Sequence, residues 1–477
     1  MDAVSLGYDQ LHPEDAFGEV MMDTLAERGS PLLAIGDFPC CKAVQQRYLD
    51  ASWDTSFSIS MSDAYYGVLR SDEFDETEAR ELFDEFEDWH VKCAHYAFSC
   101  ALTRKGGKMA SVIAALPSTR LGVGTGSEIA ASLSTSVTWE LEVVQTGGKG
   151  RWGQSSAVEC SEGKTRLWVF GGFGEGFREG GGKAAHERLN DTVVADVENI
   201  DKWERHCPNV EKDQKKLLRR MHPAVAPMNR GFLVFGGRAG PNCPYNDVIE
   251  VTRDGDALQY TMPRQTGAIP SKRWRHSMTR LGSTDFYLVY GGWDGSNAKG
   301  DFYVLQRKEE ECVWHSVDTA GEELAARFGH TIDFIQQQGE LSFSMMLYGG
   351  YDGKRKVFGE LVSLELSLEG NPNISVKHLS EQEPRYSHAS FQMDGKVFII
   401  GGVGFGGDMP SASAYNLREH VWGEVKFPNV SSRHVWTRQQ AFLLPDGHVI
   451  FVGGGLLCFS FGSKCNPLYS LMRIRSL

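Results

Sequence analysis

The sequence predicts a mainly β fold over its C-terminal two-thirds, preceded by a shorter α/β segment. The main observation is a short apolar run that ends in a Gly-Gly pair and occurs six times. The six pairs are Gly171-Gly172, Gly236-Gly237, Gly291-Gly292, Gly349-Gly350, Gly401-Gly402 and Gly453-Gly454. Far upstream of the first pair, apolar residues instead follow the 3.6-residue period of helices.

Each apolar run predicts a strand that is buried on both faces, because it is continuous and bounded by glycines. The glycines allow positive φ and a close approach of backbones where such strands crowd around an axis. A further strand and often a tryptophan follow, as at Trp203, Trp314 and Trp422. The pairs recur every 52 to 65 residues, and units of four short strands at that repeat length form the blades of a β-propeller.

An Arg-x-x-His motif precedes the apolar run in four repeats, at Arg219/His222, Arg273/His276, Arg327/His330 and Arg385/His388. The first repeat has Gln154 in the histidine position and the last has Ala441, after Arg151 and Arg438. We expect these side chains to bond loop carbonyls between blades, as scaffold and not as metal ligands, because they recur at one position. The pattern over about residues 138–477 resembles kelch repeats. The resemblance implies a six-bladed kelch β-propeller spanning residues 136–477.

Closure of the ring follows from the two ends of this region. The segment SVTWELEVV, from Ser136 to Val144, reads as an outer strand with no blade before it. The last repeat ends at YSLMRI and lacks an outermost strand. We therefore predict that the entering segment completes the last blade, which leaves no open sheet edge.

Residues 1–102 predict two helices, a strand, an acidic helix and a final strand. Their sequences are PEDAFGEVMMDTLAERG, CKAVQQRYLDASW, TSFSISM, ARELFDEFEDWHVKC and HYAFSCAL. The first helix has Pro13 near its start and Gly29 past its end, as helices often do. This order suits the closing half of an α/β sheet. Residues 103–135 are rich in Ser, Ala, Gly and Thr and predict a flexible linker.

Three phrases in this part resemble the C-terminal end of the leucine carboxyl methyltransferase family. They are GYDQLHPEDAFGEVMMDTLAERGSPL, AVQQRYLDASWDTSFSISMSDAYYGVL and FDEFEDWHVKCAHYAF. The family's Tyr-Glu-Gln phrase corresponds here to Tyr8-Asp9-Gln10. A partial class I methyltransferase-like segment followed by a kelch propeller is also the domain order of the tRNA-modifying members of this family.

The resemblance implies an activity, a cofactor and a partner. Such proteins use S-adenosyl-L-methionine to methylate a side-chain carboxyl on a hypermodified guanosine beside the anticodon of tRNA-Phe. They then methoxycarbonylate its amino group to complete wybutosine, and the propeller is expected to help hold the tRNA. A substrate carboxylate is already ionised near neutral pH, so catalysis would depend on holding it in line with the methyl group.

The sequence lacks the cofactor site that the resemblance implies. In such folds the cofactor lies on a Gly-rich turn after the first strand, with an acidic residue on the ribose. Those elements belong to the N-terminal half of the family's domain. We therefore expect a truncated form of a longer enzyme, and a natural remnant is the alternative. The stretch from Gly122 to Gly126 looks like such a turn, but it follows the last strand and falls in the predicted linker.

Candidate binding residues come from the resemblance and from charge. Tyr8 and Gln10 lie where the family's Tyr-Glu-Gln phrase flanks the pocket, so they are candidates for substrate contacts. The candidates for tRNA phosphate contacts are Lys215, Lys216, Arg220, Lys354, Arg355 and Lys356. Ordinary surface charge is the alternative for each. The acidic run DEFDETEARELFDEFED predicts a solvated helix face and not a pair of catalytic carboxylates.

Net charge, cysteine spacing and apolar runs limit the kinds of binding site that we expect in this protein. A net charge of −13 argues against a surface that binds nucleic acid everywhere, although a local basic patch remains compatible with it. Ten scattered cysteines without zinc spacing predict reduced thiols and no metal site. With no signal peptide or membrane-length apolar run, we expect a cytoplasmic protein. A non-catalytic kelch adaptor that binds a protein partner through its loops remains the main alternative. A copper oxidase on a kelch propeller is a weaker one, because no convincing Tyr/His ligand set is present.

Overall fold

The computed structural model describes ten ranges of the chain. They are residues 3–68, 85–103, 139–161, 163–175, 186–208, 218–255, 257–405, 412–426, 434–458 and 462–476. The predicted linker and the Gly122 to Gly126 stretch lie outside these ranges. None of the helices within them is both long enough and apolar enough to span a membrane.

The described residues of the N-terminal segment, 3–68 and 85–103, form a small antiparallel sheet with helices packed beside it. Its strands are β1 (Val4–Gln10), β2 (Thr55–Ser60) and β3 (Tyr96–Leu102), in the order β1-β3-β2. Its helices are α1 (Ala16–Glu27), α2 (Cys41–Asp50), the short α3 (Met61–Asp63), which continues as a π-helical turn over Ala64–Val68, and α4 (Phe86–Ala94). The predicted helices and strands are present where the chain is described, and β1 is an additional strand that the sequence pattern did not reveal.

The rest of the described chain contains six blades of four antiparallel strands each. In blades 3 and 4 a fifth strand, Arg264–Gly267 or Asp318–Gly321, pairs parallel with the outermost strand. From the innermost strand outward, blade 1 is Ser155–Ser161, Lys164–Phe170, Thr192–Asp196 and Glu204–His206; blade 2 is Ala224–Met228, Gly231–Phe235, Val248–Asp254 and Ala257–Thr261; blade 3 is Ser277–Arg280, Phe286–Tyr290, Phe302–Arg307 and Glu311–Ser316; blade 4 is Thr331–Gly339, Ser342–Tyr348, Glu360–Ser367 and Asn373–Glu381; blade 5 is Ala389–Met393, Lys396–Ile400, Ala412–Asn416 and Val421–Lys426. The innermost strands of neighbouring blades contact one another in a closed ring. The mainly β propeller predicted from the repeats is confirmed.

Blade 6 is built from both ends of the propeller. Its inner strands are Gln439–Leu443, His448–Gly453 and Tyr469–Ser476. Its outermost strand is β4 (Trp139–Gly147), which precedes blade 1 in the chain and pairs antiparallel with Tyr469–Ser476. The predicted closure of the ring is therefore confirmed.

One buried arginine lies just before the innermost strand of each of the first five blades. It donates to the carbonyl of the first glycine of that blade's Gly-Gly pair and forms an ion pair with an acidic residue nearby. The pairs are Arg151–Asp191, Arg220–Asp247, Arg273–Asp301, Arg327–Glu360 and Arg385–Glu383. We call these the clamp arginines. They bond carbonyls as expected, but within their own blade and not between blades.

The positions of the clamps correct the arginines that the sequence analysis assigned to the repeat in blades 2 and 6. Arg220, predicted as a tRNA contact, is fully buried as the clamp of blade 2, whereas Arg219 is exposed and lies 3.5 Å from Glu187. His222 lies two residues after this clamp, level with Arg275 of blade 3, and Pro223 stands where the repeat histidine stands in other blades. The Arg-x-x-His spacing therefore matched the wrong one of two adjacent arginines. In blade 6 the clamp position holds Trp436, and Arg438 lies two residues further on.

The repeat histidines differ from the expectation as well. The His330 ring accepts or donates a hydrogen bond at 2.9 Å with Ser277, and His388 does so with Thr331. Each therefore bonds a side-chain hydroxyl of the preceding blade and not a loop carbonyl. Burial lowers the pKa of His330 to about 3, so this ring is neutral. Their role as links between blades is consistent with scaffold.

The N-terminal segment packs directly on one end of the propeller. A single hydrophobic core joins Phe17, Met21 and Phe86 of the segment to Trp293 and Tyr351 of the propeller loops. The Phe86 ring lies edge-on to both loop rings, with centroids 5.5 and 5.4 Å away. Burial of such aromatic side chains is a main source of stability, so the two parts form one packed unit.

Candidate functional site

A narrow ring of backbone closes the end of the propeller that faces the segment. Each blade contributes one residue with positive φ, two residues after the clamp position: Gly153, His222, Arg275, Gly329, Ser387 and Arg438. The N–H group of each donates to the carbonyl of the preceding member of this set, from His222 round to Arg438, at 2.7 to 3.2 Å. We call this ring the collar. The side chains of Arg275, Ser387 and Arg438 in this ring reach the docked segment.

Helix α4 places Glu87 in the collar. The Glu87 carboxylate lies 3.0 Å from Arg275 Nη1, accepts a hydrogen bond from Arg438 and accepts another from the Ser387 hydroxyl. The Glu87 side chain has no solvent exposure, and the two arginines are 5% and 4% exposed. Three blades thus bind one carboxylate of the N-terminal segment.

The electrostatics of this cluster keep Glu87 ionised. Burial alone would raise the pKa of Glu87, but Arg275 and Arg438 outweigh it and hold that pKa well below its ordinary value. Asp88 is buried too, and lies 3.5 Å from Arg438. The prediction that this acidic run forms a solvated face is therefore wrong for Glu87 and Asp88. Ser387 and Arg438, which bind Glu87, lie 300 and 351 residues away in the sequence, so no local pattern reveals these contacts.

A second polar contact lies one helical turn further along α4. His90 Nδ1 is 2.7 Å from the Tyr386 hydroxyl, and its Nε2 bonds the Tyr66 hydroxyl. Burial lowers the pKa of His90 to about 3, so its ring is neutral and can donate at one nitrogen and accept at the other. His90 thereby links the π-helical turn, α4 and blade 5.

The central channel of the propeller begins beneath Glu87. It is a cavity of about 640 Å³ lined by the innermost strands, and Glu87, Arg275 and Arg438 lie at its narrow end. Asp333 lines it from blade 4 and accepts a hydrogen bond from Ser390. Burial raises the pKa of Asp333 to about 6. The lining of the channel therefore includes buried ionisable side chains as well as apolar ones.

The two predicted substrate residues lie on β1, away from the collar. Tyr8 and Gln10 share one face of the strand, since side chains alternate along it. Tyr8 is 53% exposed, stacks on Tyr96 with ring centroids 5.1 Å apart, and places its hydroxyl 3.1 Å from Met61 Sδ. Their role in substrate binding stays a prediction.

The predicted RNA-binding residues separate into three groups. Lys215 and Lys216 lie outside the described residues, and Arg220 is the buried clamp of blade 2. Lys354, Arg355 and Lys356 are exposed in a loop of blade 4, where Asp352 Oδ1 accepts their three backbone N–H groups at 2.8 to 3.0 Å. We call these three residues the basic loop.

The basic loop lies beside the docked segment. Tyr351, which precedes it, contacts both Phe86 and His90 of α4, with centroids 5.4 Å apart in each case. Its hydroxyl donates to the Lys354 carbonyl at 2.8 Å. The one predicted cationic cluster that is both described and exposed is thus on the same face of the propeller as the segment.

The described part of the segment does not fit S-adenosyl-L-methionine. Its three strands are all antiparallel to their neighbours, and no Gly-rich turn within residues 3–68 and 85–103 leads from a strand into a helix. Such a turn is what holds the cofactor in folds of this class. Within the described ranges, no group of three or more His, Cys, Asp or Glu side chains is arranged to hold a metal ion either.

The similarity to known proteins covers both the N-terminal segment and the propeller. The human tRNA wybutosine-synthesizing protein 4 is 26% identical over 504 aligned residues, which cover 100% of this chain and 69% of the human protein. The protein of the same name from Aspergillus oryzae is 22% identical, over 94% of this chain and 43% of its own length. A leucine carboxyl methyltransferase 1 homolog from Arabidopsis thaliana is 38% identical over 100 residues, 21% of this chain and 30% of that protein.

A family model matches the propeller itself. The model is described as "tRNA wybutosine-synthesizing protein 4, beta-propeller" and matches residues 218–468. That range runs from the clamp of blade 2 into blade 6 and includes Arg275, Ser387 and Arg438 of the collar. Because the match covers more than half of the sequence, the chain belongs to the tRNA wybutosine-synthesizing protein 4 β-propeller family.

Proposed function

We propose that this chain acts in wybutosine synthesis on tRNA, with the propeller carrying the methyltransferase-like segment and presenting the basic loop to the RNA. The observation that supports this most is the docking of α4 in the collar through Glu87. It makes the segment and the propeller one unit, and the human relative aligns over both.

Charge and position support the basic loop as the tRNA contact. Lys354, Arg355 and Lys356 are exposed, and the Asp352 carboxylate fixes the backbone that carries them. A fixed cluster of cations binds phosphates without first losing loop entropy. Tyr351 contacts α4, so RNA bound to the basic loop would lie next to the segment. If the activity is that of the family, the bound region would be the anticodon region of tRNA-Phe.

The finer activity is proposed on the likeness alone. It is the transfer of a methyl group from S-adenosyl-L-methionine to a substrate carboxyl, with methoxycarbonylation as the later step, and Tyr8 and Gln10 as the substrate contacts. The likeness to the Arabidopsis methyltransferase homolog over 100 residues supports it. Because the described residues do not fit the cofactor, we assign no chemical step to any of them.

A non-catalytic role is the second candidate, and the same lack of fit favours it. A propeller without chemistry of its own would bind a protein partner through its loops. The two candidates differ in whether the chain binds tRNA-Phe and whether the basic loop is responsible.

The test is the affinity of the chain for tRNA-Phe, measured by filter binding at several salt concentrations. We expect K354A/R355A/K356A to bind on the order of tenfold more weakly and to show a shallower dependence of log affinity on log salt, because phosphate contacts release fewer counterions. K164A/K202A/K308A removes the same charge from exposed sites on blades 1 and 3, and should change affinity less than twofold.

Two results would contradict the proposal. If the chain does not bind tRNA-Phe, the adaptor role is favoured. If both triple variants weaken binding equally, the RNA is held by overall charge and not by the basic loop. Methyl transfer is assayed separately, with labelled S-adenosyl-L-methionine and undermodified tRNA-Phe, so that a failure of chemistry is distinguished from a failure of binding.

A further inference from the structure

Three side chains of the collar bind Glu87, and all three occupy the same position in their blades. Arg275, Ser387 and Arg438 have φ of 57, 55 and 56°, in the left-handed region that disfavours residues with a Cβ. Two other blades place glycine there, Gly153 and Gly329. The propeller backbone therefore does not need a side chain at this position.

Strain of this kind persists where the side chain has a role that the rest of the structure supports. Arg275 and Arg438 come from blades 3 and 6, on opposite sides of the channel, and converge on one carboxylate. Both are buried, so without an anion between them their charges would lie uncompensated in a low-dielectric site. The collar thus needs an anion. Glu87 contacts both arginines, whereas the neighbouring Asp88 lies 3.5 Å from Arg438.

We infer that the collar is a carboxylate-docking site, and that Glu87 is the positioning residue that anchors the N-terminal segment on the propeller. The anchor acts through charge and not only through packing of the surrounding aromatic residues. This inference does not depend on tRNA or on methyl transfer, and it concerns how the two parts of the chain are joined.

The geometry offers a direct chemical test. Glu87→Ala removes a CH₂–COO⁻ group, which is the size of acetate, and the channel leads to the vacated space from the solvent side. We expect the thermal midpoint of the 477-residue E87A variant to fall by several degrees. Sodium acetate should then restore a large part of that loss in a saturable manner, because a ligand bound only by the folded state stabilises it.

Sodium chloride at equal ionic strength is the control for screening, and should restore much less. Wild type should show no acetate-specific gain, since Glu87 fills the site, and E87A/R438M should show none because half of the site is gone. E27Q, an exposed change on α1, is the matched control and should leave the midpoint unchanged. An E87A midpoint equal to that of wild type, or equal responses to acetate and chloride, would overturn the inference.

A second variant covers the case in which E87A does not fold. E87M/R275M/R438M replaces the whole charge cluster by apolar side chains of similar length, which often leaves stability unchanged. If this triple variant folds where E87A does not, uncompensated arginine charge is the cause and the inference stands. If neither folds, the position is required for packing and not for charge, and the inference is wrong.

Discussion

Arg273 and Arg275 are two residues apart, both are buried, and they serve different parts of the molecule. Arg273 bonds Asp301 and the Gly291 carbonyl within blade 3, whereas Arg275 crosses to Glu87 of α4. The clamp arginines recur in five blades, so repetition reveals them. The collar arginines occur in two blades and have one partner outside the repeat. The clamp arginines, which follow the repeat, each stabilise one blade, and the two collar arginines, which depart from it, bind the N-terminal segment.

The largest expected effect separates a clamp from its neighbour in sequence. Arg220→Ala leaves Asp247 and the Gly236 carbonyl without their donor, and should reduce the free energy of unfolding by about 3 kcal/mol. Arg219→Ala removes an exposed ion pair with Glu187 and should change it by less than about 0.5 kcal/mol. Chemical denaturation measures both. Similar losses in the two variants would show that the clamp of blade 2 is misassigned.

A smaller effect concerns pH and the docking of α4. Burial lowers the pKa of His90 from its ordinary 6.5 to about 3, so between these values the unfolded chain binds a proton there and the folded chain does not. Stability therefore falls as pH falls below 6.5, by up to about 1.4 kcal/mol per pH unit from this residue. His90→Gln should show a shallower decline between pH 6 and pH 5 when unfolding is followed by denaturant titration. Parallel curves would mean that His90 has the same pKa in the folded and unfolded protein.

The smallest effect tests whether clamps and collar are independent. Arg220 bonds Asp247 and the Gly236 carbonyl within blade 2, whereas Glu87 binds in the collar. The double variant R220A/E87Q should therefore differ from the sum of the single changes by less than about 0.5 kcal/mol. Glu87 and Arg438 are in contact, and their double-mutant cycle should give a coupling several times larger. A strong coupling between Arg220 and Glu87 would show that the clamps and the collar form one network.

Much of the propeller could be predicted because a repeat multiplies a weak local signal. Each Gly-Gly run alone indicates only a buried strand, but six of them predict the ring and even its closure by β4. The collar could not be predicted in the same way. Its spacing to Ala441 assigned Arg438 to the repeat motif, and its neighbours in an acidic run assigned Glu87 to a solvated helix face. Their pairing depends on three-dimensional proximity between residues 351 positions apart, for which local spacing carries no information.

The closure of the ring has a consequence for how the chain folds. Val143 of β4 pairs with Met472 of the last strand, so the first and last strands of the propeller must meet before blade 6 exists. Pairing strands so far apart in the sequence requires a large loss of chain entropy before any stabilising contact forms. This requirement slows folding. During synthesis on a ribosome, β4 is made early, and the edge that pairs with the last strand stays unpaired until that strand is released. We expect this interval to be when the nascent chain most needs a chaperone.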